Sequence, residues 1–244
     1  MYSLSLPEEV YEALPRLKQF LSSLWLPLEK IQNSDLLCCC FVHKSYAADF
    51  KVAYDHNERL EFVGDAMLES VIAKRLFLDF PEMQESTMTL YKIALVREET
   101  LCKVAKKIWL HHQLFISKGE ERNWGREKAS ITSDAMEALI GYLALDMGYP
   151  IMEQFVFDSI YPEINEVSKS PVKSYKTMAQ EHIQKFYKHL PVYHDYDEQV
   201  DEKWNVLLFR SEIIAEKEIL AVGFWTNKKK AQEDAAKNYC EQLE

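Results

Sequence analysis

Apolar positions recur every three or four residues through most of the first 167 residues, the spacing of amphipathic helices. Over Asn57–Leu68 and the next turn, Leu60, Val63, Met67 and Val71 gather on one side of a helical wheel. Glu58, Glu61 and Asp65 gather on the other, within about 60° of one another. A second stretch, Ser133–Gly141 and beyond, turns Met136, Leu139, Ile140 and Leu143 away from Asp134 and Glu137. The pattern changes after Val167. Ser168-Lys169-Ser170-Pro171-Val172 reads as a linker, because a Ser/Pro cluster breaks helices and stays solvated. Tyr175, Ala179, Ile183, Phe186 and Leu190 then predict a helix. Runs 191–196, 204–210 and 218–225, rich in aliphatic and aromatic residues, predict strands. Ala231, Ala235, Tyr239 and Leu243 step along a closing helix. The expected organisation is a lead over 1–18, a helical domain over 19–167, a linker over 168–173 and an α-β-β-β-α domain over 174–244.

Composition agrees with a folded chain. Of 244 residues, 48% are hydrophobic and 28% charged, which excludes a disordered or collagen-like polymer. Gly and Pro are scarce, at 6 and 8, which favours helices over a loop-rich sandwich. The N-terminus lacks the basic and apolar regions of a signal peptide, and no apolar run reaches the ~18 residues of a membrane span. Five cysteines, three of them consecutive at Cys38-Cys39-Cys40, read as buried thiols in a reducing, cytoplasmic setting. The net charge of −10 taken alone argues against a nucleic-acid partner.

The two acidic stripes change that picture. Like charges three residues apart repel by a few tenths of a kcal/mol per pair. A divalent cation would turn that repulsion into affinity, since Mg²⁺ takes carboxylate oxygens and leaves positions for phosphate. Two such ions orient an attacking water and stabilise the leaving oxygen in phosphodiester cleavage. Taken singly, each stripe is also compatible with an ordinary solvated helix face. Gly64 and Gly141 each sacrifice about 1 kcal/mol of helix propensity relative to Ala, which a close backbone approach would explain. Phe62 lies near the carboxylate face, as a partly exposed core residue or as a subunit contact.

Several blocks in order carry a family resemblance. Glu58-Arg59-Leu60-Glu61-Phe62-Val63-Gly64-Asp65-Ala66, with His43-Lys44-Ser45-Tyr46 before it and Leu95-Val96-Arg97-Glu98-Glu99-Thr100-Leu101 after it, resembles the ribonuclease III signature. Gly125-Arg126-Glu127-Lys128-Ala129-Ser130, followed by Asp134–Gly141, resembles its second acidic block. Tyr175–Glu181 and Asn227–Gln232 resemble the two ends of a double-stranded-RNA-binding domain. The resemblance implies an all-α ribonuclease III-like catalytic domain followed by a small α-β-β-β-α RNA-binding domain. It implies that Glu61, Asp65, Asp134 and Glu137 are catalytic and bind Mg²⁺, for which Mn²⁺ substitutes, with Glu58 as a supporting acid. It implies a homodimer with Phe62 packed into the partner, cutting double-stranded RNA to 5′-phosphate and 3′-hydroxyl ends with a short 3′ overhang. Ribosomal and messenger RNA processing in the cytoplasm is the expected setting, with no membrane partner.

For the second domain the resemblance implies minor-groove contacts from Gln180 and Glu181, and phosphate contacts from Lys228, Lys229 and Lys230. A-form RNA is read by shape in this way, through 2′-hydroxyls and phosphates. Neither part of the chain is basic: residues 172–244 carry a net −2 and residues 1–171 a net −8. RNA affinity must therefore come from clustered lysines and bound metal. The sequence departs from the family twice. Its 199–204 segment, Gln199-Val200-Asp201-Glu202-Lys203-Trp204, is acidic and lacks the usual Gly-Pro-x-His element, and Trp124 stands where a glycine is usual. His43 and His56 are expected to be structural, while Lys44 and Arg97 could serve either the surface or a phosphate. A non-catalytic binder of duplex RNA is the alternative, and the complete acidic set weighs against it. A phosphohydrolase for small molecules would leave the second domain unexplained.

Overall fold

The computed structural model describes residues 4–167, 175–201 and 205–243. The chain divides into two compact units, Met1–Lys169 and Ser170–Glu244. The expected linker, 168–173, lies outside the described residues, as do Glu202, Lys203 and Trp204.

The first unit is helical. Its elements are α1 (Glu8–Glu12), α2 (Leu14–Ser23), α3 (Ser34–Cys40), α4 (Lys44–Ala48), α5 (Glu58–Asp79) and α6 (Glu85–Val96). They continue as α7 (Glu98–Lys107), α8 (Lys118–Arg122), α9 (Ala129–Tyr142), α10 (Tyr149–Ser159) and α11 (Ile164–Val167). The segment expected to be a lead holds α1 and the first half of α2. Val10, Leu17, Phe20 and Leu21 join the same core as the later helices. All of Cys38, Cys39, Cys40 and Cys102 are buried free thiols, as is Cys240 in the second unit.

The middle of α9 is buried almost all round. From Ile131 to Leu143 every residue is buried except Asp134 and Glu137, which are half-buried. Its neighbour α5 packs through Leu60, Gly64, Leu68, Val71 and Ile72. This differs from the expected apolar stripe, because Val63 and Met67 are only half-buried. The packed face is rotated toward the acids. A hydrophobic wheel gives glycine no weight, yet Gly64 is where α5 comes closest to α9. A Cβ at Gly64 would lie 1.7 Å from the carbonyl oxygen of Glu137, and one at Gly141 2.1 Å from that of Leu60. Glu61 consequently stands at the shoulder of the interface, half-buried, and not opposite it.

The second unit is an antiparallel sheet β1 (Val192–Val200), β2 (Val206–Ala215) and β3 (Glu218–Trp225), with α12 (Tyr175–Tyr187) before it and α13 (Lys228–Glu241) after it. Ala179, Ile183, Ile213, Ala215, Ala221, Ala236 and Tyr239 form its core. Phe186 and Leu190, expected on the apolar side of α12, are exposed, and Leu190 falls beyond the helix end. β1 runs four residues past the expected Tyr196, because Asp197, Gln199 and Val200 pair with Phe209, Leu208 and Val206. Ladder hydrogen bonds are indifferent to side-chain polarity, so this acidic extension carried no apolar signal. The β2–β3 turn sets both Glu216 and Lys217 at positive φ, 47° and 74°, the backbone of a type I′ hairpin made without Asn or Gly. Gly223 admits α13: a Cβ there would lie 2.1 Å from the Ala235 nitrogen.

Candidate active site and RNA-binding surface

The glycine crossing fixes the acids. Glu61 projects from α5, and Asp134 and Glu137 project from the only half-buried positions of central α9. Carboxylate oxygens of these three lie within 4.8 Å of one another. Asp65, one turn along α5, is exposed and lies outside that group. Glu58, one turn back, is held instead by Lys44, whose Nζ donates to Glu58 Oε1 at 2.8 Å. His56 Nδ1 stands 3.7 Å from the other Glu58 oxygen.

The electrostatics reflect this crowding. Burial, reinforced by Asp65, Asp134 and Glu61, pushes Glu137 up to about 8. Burial, then Asp134 and Glu58, pushes Glu61 up to about 7. Burial also raises Asp134, partly offset by a hydrogen bond from the Ser133 hydroxyl and by Lys44. Glu58 moves the other way, lowered by its bond to Lys44. Three oxygen-donating groups, unwilling to ionise together without a counter-charge, are suited to a hard divalent cation.

The surrounding residues divide between support and surface. His43 Nδ1 accepts the Ser45 N–H at 3.2 Å and caps α4, a structural role as expected. Arg97 Nε lies 3.8 Å from Glu99 Oε2 and reaches the Thr100 hydroxyl. Phe62 is 80% exposed on the same α5 turn as Glu61. Trp124 is 77% exposed and adopts the left-handed φ of 56° that a glycine would take without strain. The chain around it is fixed: Arg126 Nη1 donates to the carbonyls of His111 and Leu114 at 2.9 and 2.8 Å. The Lys44–Glu58 pairing and the Ser133 hydroxyl escaped sequence reasoning. Lys44 lies fourteen residues from Glu58 on another helix, and no periodicity connects them.

In the second unit Gln180, Glu181 and Lys228–Lys230 are all exposed. Asn227 caps α13, its Oδ1 accepting from Lys229 N at 2.9 Å. Phe209 and Trp225 face each other across β2 and β3. Lys228 Nζ sits 5.4 Å over the Phe209 ring, and Lys230 Nζ 5.6 Å over the Trp225 ring. This aromatic pair steadies two ammoniums at the helix start while leaving them open to solvent. Of the acidic segment, Gln199 and Val200 end β1, and Asp201 Oδ1 accepts the Asn205 N–H at 2.8 Å. No helix among the described residues is long and apolar enough to cross a membrane.

A family model described as ribonuclease-III-like matches residues 33–164, and one for the double-stranded RNA binding motif matches residues 175–243. Ribonuclease 3 of Staphylococcus aureus is 37% identical over 213 residues, 87% of this chain and 87% of that one. The nuclease domain of ribonuclease III from Campylobacter jejuni, in a structure concerned with flexibility in its dimer-forming region, matches with TM-score 0.54 and 35% identity. It covers 60% of this chain and 96% of that one. A second structure of that domain gives TM-score 0.53 at the same identity. The helical unit with its acidic crossing and the α-β-β-β-α unit behind it thus have one joint counterpart: the chain belongs to the ribonuclease III family of double-stranded-RNA endoribonucleases.

Proposed function

We propose that the chain hydrolyses double-stranded RNA with Mg²⁺, or Mn²⁺ in its place, held by Glu61, Asp134 and Glu137 with Asp65 beside them. The observation that carries this reading is the convergence of three half-buried acids from two helices within 4.8 Å. A bound divalent ion supplies an activated water and neutralises charge on the scissile phosphate. The protein supplies placement. α9 cannot turn without disrupting the core, so Asp134 and Glu137 stay aimed outward, and the glycine crossing holds Glu61 against them. Asp65, exposed at the mouth of the group, is set to orient water from outside it. Glu58 supports the rim through Lys44.

Lys228, Lys229 and Lys230 grip phosphates, and Gln180 and Glu181 face the minor groove from α12. The dimer formation described for the Campylobacter jejuni nuclease domain supports a homodimer, with Phe62 seated in its partner. Two centres in one dimer cut one strand each and leave 5′-phosphate and 3′-hydroxyl ends with a short 3′ overhang. Ribosomal and messenger precursors in the cytoplasm are the substrates this reading assigns. The test is incubation of a long RNA duplex with the chain and Mg²⁺. Cleavage is expected, and Glu137→Ala is expected to abolish it while leaving duplex binding intact. Normal cleavage by Glu137→Ala would remove the acids from the reaction.

A further inference from the structure

Lys44 occupies an unusual place. Its backbone is pinned on both sides: the His43 N–H donates to the Phe115 carbonyl at 3.0 Å, and the Ser45 hydroxyl accepts the Ser117 N–H at 3.1 Å. Its side chain is 59% exposed and reaches from this fixed corner to Glu58, on the helix that carries Glu61. An exposed ion pair of this kind is worth about 0–1 kcal/mol, so it exchanges partners readily. Glu58 keeps a second neighbour in His56, whose Nδ1 lies 3.7 Å from its other oxygen, and does not depend on Lys44 alone. Lys44 also lies near enough to Glu61 and Asp134 to favour their charged forms, so a phosphodiester brought to the acids meets an exposed ammonium beside them.

We propose that Lys44 is an RNA-phosphate-binding residue, held by Glu58 in the free protein and handed to a backbone phosphate oxygen when the duplex docks. The inference rests on the nuclease reading for which phosphate is nearby, but it concerns binding and is tested by binding. No covalent step is involved. Glu58 is then a holder that keeps the ammonium extended over the rim and competes with RNA for it.

The test uses the full chain in a Glu137→Gln background, with a labelled RNA duplex titrated between about 50 and 200 mM salt. Loss of one phosphate contact lowers the slope of log affinity against log salt by about 0.9, and by about twice that where both chains of a dimer lose it. Lys44→Met is expected to show that drop, and Lys44→Arg to restore the slope. Glu58→Gln is expected to bind several-fold tighter, because the ammonium no longer has to leave a carboxylate. A merely structural pair would make Lys44→Met and Glu58→Gln alike, each lowering thermal stability and neither altering the slope or tightening binding. That result overturns the proposal. Cleavage of the same duplex by the unsubstituted chain with Mg²⁺ is scored separately. Its absence alongside the expected slopes would defeat the nuclease reading and leave the phosphate contact standing.

Discussion

Gly64 and Gly141 face each other across the crossing of α5 and α9, so closely that a Cβ on either would fall inside the other helix's backbone. The clash partners are the carbonyls of Glu137 and Leu60, which cannot swing aside as a side chain would. The same contact that packs the core therefore sets the separation of the acids.

Gly64→Ala should lower stability by about 2 kcal/mol or more. Overpacking against backbone outweighs the roughly 1 kcal/mol gain in helix propensity. Thermal unfolding checks this, with Gly119→Ala as the control. A Cβ at Gly119 meets only the Ser117 hydroxyl, at 3.7 Å, and should be tolerated. The Gly64 variant should also need more Mg²⁺ for half-maximal cleavage.

The acids make a pH prediction of definite sign. Glu61 and Glu137 are raised from 4.5 to about 7 and about 8 in the fold. Between the unfolded and folded values the native state holds more protons, so stability falls as pH rises through this window. The metal-free chain should therefore melt at lower temperature at pH 8 than at pH 5.5, and Glu137→Gln should lessen the fall. Divalent binding must displace the same protons, so metal affinity should strengthen from pH 6 to 9. Melting curves with and without Mg²⁺ across that range read both effects.

Trp124→Gly should stabilise the first unit. A bulky residue in the left-handed region costs on the order of 1–2 kcal/mol, and this indole gains little from burial. Trp25, at φ 61° and 95% exposed, offers a second instance of the same strain. Each glycine replacement should raise the melting temperature by about 2–4 °C per kcal/mol.

Replacing Lys228, Lys229 and Lys230 singly with alanine should each flatten the salt dependence of duplex binding by about 0.9 for every chain on the duplex, with little change in stability. Phe209→Leu should reduce affinity less than Lys228→Ala, because it removes the platform under the ammonium and not the charge. Fluorescence anisotropy over a salt series distinguishes the two.

Much of this architecture is legible in the sequence, and the exceptions have physical reasons. The acids on α5 and α9 were readable because their three-residue spacing is imposed by the helix itself. β3 was readable because Glu218–Trp225 is uniformly apolar over most of its length. The true packing face of α5 was hidden, since its closest contact is a residue with no side chain. The end of β1 was hidden behind Asp197 and Gln199, whose pairing is purely a backbone affair. The helices within the first 23 residues are short, and their apolar positions acquire meaning only against α3 and the shared core. The hold of Lys44 on Glu58 depends on tertiary folding that no local pattern encodes.

The sealed cysteines provide a built-in clock. Burial pushes the Cys39 thiol up to about 12 and Cys38 up to about 11, so neither meets a water-soluble alkylating reagent as thiolate while the fold is closed. Four thiols mark the nuclease unit and Cys240 marks the RNA-binding unit. Labelling rates followed peptide by peptide would time the breathing of each half on its own, in a chain that needs no added probe.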